Sequence, residues 1–238
     1  MKLSIIIPAF NEEETIQQIL KEVDALKING VKKEVIVVDD ASSDTTSQKV
    51  ENWVKGKKDF KFLKHKKNQG KGAAVITGIK SAKGDYIIIQ DADLEYHPKY
   101  IKKLFLPILN KQTDVVYGTR LNRLPNFLKE EKSFRFILHY FGNRFLSLLT
   151  SVLYGHWITD METCYKLFPR NIAVNFKLNA RGFEFEPEIT AKLLKSGCKV
   201  KEVSINVVPR GYEEGKKLNT FRDGRKALWA ILKYRFVN

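Results

Sequence analysis

Short apolar runs alternate with longer amphipathic stretches through the first half of the chain. Leu3–Ile7, Glu34–Val38, Phe60–Lys64, Asp85–Gln90 and Asp114–Tyr117 are strand-length and rich in β-branched and aromatic residues. Between them, Glu12–Leu26, Asp44–Val54, Gly72–Ala82 and Pro98–Leu109 space their apolar residues as helices do, with Pro98 where a helix start tolerates proline. This alternation predicts an α/β fold, a mostly parallel central sheet flanked by helices on both faces. The second half has another rhythm. Ser133–Tyr154 predicts a long helix or helical pair, basic at its start and apolar later. Cys164–Phe168 and Lys199–Val207 predict strands, Pro187–Lys195 and Phe221–Phe236 helices, and Pro209–Asn219 a polar loop. No repeat, low-complexity tract or linker interrupts the chain, so residues 1–238 read as one domain.

Composition narrows the class. Hydrophobic residues make up 43% and charged residues 29% of 238, which suits a globular protein with a sizeable core. The longest uncharged stretch, Phe145–Thr159, carries Ser147, Thr150, Ser151, Gly155 and His156, so no segment is expected to span a membrane. Met1-Lys2 leads directly into a strand, and no signal peptide is expected. Cys164 and Cys198 have no metal-ligand spacing and read as reduced, cytosolic thiols. The net charge of +15 calls for an anionic partner: nucleic acid, a membrane surface or a phosphorylated substrate. A basic solvated surface is the plain alternative.

The chemistry gathers at strand ends. The run Tyr86–Ile89 stops abruptly in Asp91-Ala92-Asp93, with Glu95 close behind. Three carboxylates there repel one another unless a cation sits among them. Ligands of open α/β sheets bind outside the carboxyl ends of the strands. A divalent metal with an anion on its far side is therefore expected. Asp39-Asp40-Ala41-Ser42-Ser43-Asp44 follows the second strand, and these acids exceed what helix capping requires. An acid at a strand end also suits ribose hydroxyls or a base N–H. Asn68-Gln69-Gly70-Lys71-Gly72 opens the next helix; its glycines allow a close ligand approach, and the helix N-terminus with Lys71 attracts phosphate. It is neither a Walker motif nor a dinucleotide fingerprint. His65, His97, His139 and His156 are scattered and read as surface or packing residues.

Together, Ile6-Ile7-Pro8-Ala9-Phe10-Asn11-Glu12, Val37-Val38-Asp39-Asp40-Ala41-Ser42-Ser43-Asp44, Asn68 to Gly72 and Asp91-Ala92-Asp93 resemble the family 2 glycosyltransferases of GT-A fold, in order over roughly the first 120 residues. The form Asp91-Ala92-Asp93-Leu94-Glu95, followed by Tyr117-Gly118-Thr119-Arg120, is similar to the dolichol-phosphate mannosyltransferase branch. The resemblance implies a nucleotide-sugar donor, of GDP-mannose or UDP-glucose type, and inversion at the anomeric carbon. It places base and ribose near Pro8, Ala9, Asn11, Glu12, Asp39 and Asp40 in a donor-binding half, 1–120. Lys71, Asp91, Ala92 and Asp93 complete the donor site. Asp91 and Asp93 would hold Mg²⁺ or Mn²⁺ across the diphosphate; Glu95 stands where that branch usually has Gln, a third candidate ligand.

The acceptor half, 121–238, decides the reaction. A sugar hydroxyl needs a general base to take its proton; a polyprenyl phosphate is already an oxyanion and needs cations instead. Arg120, Arg135, Arg210, Lys216 and Lys217 are the candidates, and Pro209–Lys217 resembles the mobile acceptor loop of polyprenyl-phosphate glycosyltransferases. Asp160 either acts as base for a saccharide hydroxyl or, as the polyprenyl branch implies, organises the site or pairs a cation such as Arg120; Lys166 is another possible partner for it. Arg120, Asp160 and Arg210 are the expected catalytic set. The apolar segment 134–153 suits a helix lying in a membrane interface or a hairpin capping the sheet, and Trp157 and Trp229 suit interfacial anchoring or core packing. The expectation is a peripheral enzyme at the cytoplasmic membrane face. A nucleic-acid binder is the rival from another class, but it has no use for acid clusters at strand ends and no recognition motif is present.

Overall fold

The computed structural model describes residues 1–121, 134–207 and 220–237, without the side chains of 134–136 and 220. Seven strands form one sheet: β1 (Lys2–Ala9), β2 (Lys32–Asp39), β3 (Phe60–Lys64), β4 (Tyr86–Ile89), β5 (Val115–Thr119), β6 (Lys166–Pro169) and β7 (Val200–Ser204). Their order is β3-β2-β1-β4-β6-β5-β7. The helices are α1 (Ile16–Ala25), α2 (Thr46–Val54), α3 (Lys71–Ser81), α4 (Lys99–Leu109), α5 (Phe134–Tyr154), α6 (Arg170–Ala173), α7 (Phe185–Lys195) and α8 (Thr220–Phe236).

The central strands are continuous apolar runs because helices cover both faces, leaving no side to face water. Leu3, Ile5, Ile6, Ile7, Val35, Val37, Val38 and Ile87–Ile89 are all fully buried. In register, Ile5 lies between Val35 and Ile88. α3 packs on β1 and β2, where Gly78 admits the Ile6 side chain. β1, β2, β3 and β4 run parallel, so their carboxyl ends open on one edge.

β6 departs from the alternation. It enters between β4 and β5 antiparallel to both, and β7 then pairs parallel with β5. An apolar run of four residues states that a strand is buried but not its direction, so the sequence predicted the strand and not its sense. The α5 segment is one 21-residue helix. It packs against α7 and α8, and Tyr154 Oη donates to the Ile231 carbonyl at 2.8 Å.

Candidate active site

The loops after β1, β2 and β4 meet at the parallel edge, and each contains a non-glycine residue at positive φ: Asn11 (+50°), Ala41 (+60°) and Leu94 (+63°). Such backbone costs of order 1–3 kcal/mol for residues without asparagine's local hydrogen bonding, so it persists only where surroundings over-determine it. Here the two front loops are stitched together. Asn11 N donates to Ser42 Oγ at 2.9 Å, Ser43 N to Asn11 Oδ1 at 2.8 Å and Glu12 N to Thr46 Oγ1 at 2.8 Å. Asp39 is fully buried and takes the Ser42 and Ser47 hydroxyls. Asn11 and Asp39 thus shape the loops, while Pro8, Ala9, Glu12 and Asp40 line a cavity of about 470 Å³.

Asp40 accepts from the backbone N–H of Gln69 (2.9 Å) and of Gly70 (2.7 Å), and its Oδ1 lies 2.6 Å from His65 Nδ1. His65 Nε2 is 2.9 Å from Thr77 Oγ1 on α3. Backbone amides just before α3 hold a carboxylate of the chain, and of the two readings for His65 the structure gives packing: it is a part-buried tie between that carboxylate and α3. The glycines also serve the chain itself: Gly70 sits at φ +96°, and a Cβ there would meet the Arg181 carbonyl oxygen at 2.3 Å. The loop 180–182 makes a close approach at this glycine.

At the end of β4, Lys71 Nζ reaches Asp91 Oδ1 at 2.7 Å and sits 5.7 Å from the Phe183 ring centroid. Burial opposes the ammonium charge, but Asp91 outweighs it and raises the Lys71 pKa. Burial, then the charges of Asp91 and Glu95, push Asp93 up to about 7. Among the described residues no group of three or more His, Cys, Asp or Glu is arranged to hold a metal ion. At the cavity stand two carboxylates close together, Asp91 and Asp93. They fit a divalent cation whose other ligands come from the substrate.

On the far side of β4, Asp160 is 0% exposed and receives Arg120 three times: backbone N at 2.9 Å, Nε at 2.8 Å and Nη2 at 2.8 Å. The backbone N–H of Thr159 and of Asp160 donate in turn to Glu202 of β7, at 2.9–3.0 Å. Burial disfavours the guanidinium charge, yet Asp160 more than offsets this and raises the Arg120 pKa. Arg120, 19% exposed, lines the cavity and lies 5.8 Å from the Tyr96 ring; Asp160 stands behind it. Lys166 is not a partner of Asp160: its ammonium pairs with Glu186 at 2.6 Å and donates to the Met161 and Thr163 carbonyls.

The cavity continues to α5 and α8 through His139, Asn143, Arg222, Asp223 and Lys226. These, with Glu162 and Glu186, escaped the sequence reading. Usable signals existed: polar His139 and Asn143, four apart in an otherwise apolar helix, and Arg222 and Lys226 with the same spacing on α8. Arg210, Lys216 and Lys217 lie outside the described residues, as does the side chain of Arg135.

The family model for glycosyl transferase family 2 matches residues 4–174. The chain belongs to that family. An uncharacterized protein of Methanocaldococcus jannaschii is 31% identical over 97% of this chain and 91% of its own length. A dolichyl-phosphate beta-glucosyltransferase of Dictyostelium discoideum is 29% identical over 98% of the chain and 74% of the relative. A dolichol-phosphate mannosyltransferase of Pyrococcus furiosus is 38% identical, over 50% of this chain and 33% of the relative. Among solved structures, glucosyl-3-phosphoglycerate synthase from Mycobacterium tuberculosis, crystallised with Mn²⁺, UDP and phosphoglyceric acid, superposes with a TM-score of 0.72 at 18% identity, over all of this chain and 79% of that one. The glycosyltransferase therefore has the GT-A fold. In other crystals that synthase carries Mg²⁺ and UDP.

Proposed function

We propose that this glycosyltransferase moves a hexose from a nucleoside-diphosphate sugar to a phosphate acceptor, a polyprenyl phosphate at a membrane surface, with inversion. The observation that carries this reading is the Arg120–Asp160 pair. Asp160, the base expected for a hydroxyl acceptor, has both carboxylate oxygens held by Arg120 and is away from the cavity wall. Arg120 spends two of its five side-chain N–H donors on Asp160; the others remain to meet an anion. An acceptor phosphate needs such a cation and needs no proton removed. The names of the dolichyl-phosphate relatives support the lipid.

In this reading Pro8, Ala9, Glu12 and Asp40 border the nucleoside, with Asp40 fixed by its amide partners. Asp91 and Asp93 would hold Mg²⁺ or Mn²⁺, which as a Lewis acid stabilises charge developing on the departing diphosphate. Lys71 supplies a second positive charge beside the same carboxylates. Arg120 orients the acceptor oxyanion toward the anomeric carbon. Calorimetry with UDP and GDP checks the donor half: one of them should bind at least tenfold tighter with Mn²⁺ than with EDTA. Indifference of both to Mn²⁺ would count against the donor site.

The membrane part rests on outward apolar faces of two helices. α5 buries Asn143, Ser147, Thr150 and Ser151 while Phe141, Phe145, Leu148 and Val152 point outward, four residues at helical spacing. On the adjoining α8, Trp229, Leu232 and Phe236 are exposed among Arg225, Lys226, Lys233 and Arg235. Trp157 and Trp229, 70% and 67% exposed, are not core residues. Among the described residues no helix is long and apolar enough to cross a membrane. Apolar stripes flanked by basic residues suit an interfacial position on anionic lipid. Sedimentation with vesicles containing phosphatidylglycerol should carry down the wild type. Phe145→Ser/Trp229→Ser should reduce the bound fraction several-fold, and equal sedimentation of both would remove these helices from membrane contact.

A further inference from the structure

Four buried side-chain atoms among the described residues have no hydrogen-bond partner: Glu22 Oε2, Trp53 Nε1, Glu162 Oε1 and Glu184 Oε2. Of the four residues, Glu162 alone lines the cavity. An unsatisfied buried carboxyl oxygen is costly, and native structures rarely keep one without a reason. The neighbouring groups do not supply the missing bond. Arg120 turns Nε and Nη2 onto Asp160 and gives no bond to Glu162, and Lys166 is spent on Glu186 and two carbonyls. No described residue bonds Glu162 Oε1, so its partner is sought in the cavity it lines.

Position and chemistry say what it is. Asp40, Asp91 and Asp93 line the same cavity as His139, Asn143 and Arg222. Glu162 stands on the wall with Arg120, whose partner Asp160 is two residues earlier in the chain. In the transfer reaction proposed above, the sugar must lie between the diphosphate and the acceptor. A carboxyl repels the phosphates on either side but hydrogen-bonds well to hydroxyls. We propose that Glu162 reads a hydroxyl of the transferred hexose, so that it helps select and hold the sugar rather than the nucleotide; this rests on the donor-site reading. Burial pushes its carboxyl up to about 7, so near neutral pH the group can donate as well as accept.

The test compares nucleoside diphosphates with nucleotide hexoses. UDP, GDP, UDP-glucose and GDP-mannose are titrated in Mn²⁺ into wild type, Glu162→Ala and Glu162→Gln, with folding checked by circular dichroism. Glu162→Ala should bind the nucleoside diphosphate as wild type does and the nucleotide hexose about tenfold more weakly. Glu162→Gln, which still donates and accepts but cannot take a proton, should recover most of that loss; a general base would not be rescued this way. Monodeoxy donors add a measurement that needs no truncation. One deoxy position should weaken binding about tenfold on wild type and add nothing on Glu162→Ala. The proposal is overturned if Glu162→Ala binds the nucleotide hexose like wild type, or if every monodeoxy donor binds wild type like its parent. Should wild type bind none of the four nucleotides, the donor reading itself fails and the assignment of Glu162 falls with it.

Discussion

Replacing Arg120 with alanine should cost about 3–5 kcal/mol of stability, because it leaves the Asp160 charge buried and unpaired. It should also remove nearly all turnover, since the acceptor anion loses its cation. At roughly 2–4 °C per kcal/mol for a chain of this size, the melting temperature should fall by about 10 °C. Arg120→Lys should rescue little, because an ammonium cannot span both Asp160 oxygens and still face the cavity. The two losses separate in the double variant Arg120→Leu/Asp160→Leu. Removing both charges should return most of the stability, as apolar replacements of buried pairs often do, while turnover stays lost. A double variant that regains activity along with stability would reduce Arg120 to a structural residue.

Asp93→Ala should do the opposite to stability while also abolishing transfer. Asp93 is crowded by Asp91 and Glu95 and pushed up to about 7. A carboxyl whose folded pKa is raised imposes no penalty below its unfolded pKa near 4; the penalty grows as pH rises and is complete above about 7. In EDTA, Asp93→Ala should therefore be more stable than wild type at pH 8, by roughly 1–3 kcal/mol, and no more stable at pH 4. Transfer at pH 8 with Mn²⁺ should drop by about 10³-fold or more, the scale at which losing charge stabilisation in a transition state is felt. Urea melts at the two pH values and initial-rate assays measure both arms. A variant that is less stable at pH 8 in EDTA would show that the carboxylates are not held against their own repulsion.

The parts legible in the sequence are those that follow from periodicity and from a crowded sign of charge. The strands β1 to β5 and helices α1 to α4 appear where apolar spacing puts them, and the acids of Asp91–Glu95 and Asp39–Asp44 fall at strand ends as expected. What the pattern could not convey was direction and pairing. The antiparallel entry of β6 leaves no trace in four apolar residues. Nothing in the sequence says that Asp40 turns to the amides of Gln69 and Gly70, or that Lys166 chooses Glu186 over Asp160, because those choices depend on distances set by the sheet. In α5 the sequence left the buried face open. Its apolar residues include an outward stripe and its polar residues are buried, so the usual rule for which face packs inward runs backwards there. Glu162 stayed hidden because a single acid near Asp160 carries no periodic signal. Only its lack of a partner for Oε1 among the described residues distinguishes it.

The acceptor is the central claim, and one transfer assay tests it most directly. The purified glycosyltransferase is incubated with Mn²⁺, radiolabelled UDP-glucose or GDP-mannose, and either polyprenyl phosphate in detergent, 3-phosphoglycerate, or a neutral saccharide, then partitioned between organic and aqueous phases. The account predicts label in the organic phase with polyprenyl phosphate, lost on adding EDTA, and none transferred to the neutral saccharide. Label appearing on the saccharide, with none entering the organic phase, would contradict it.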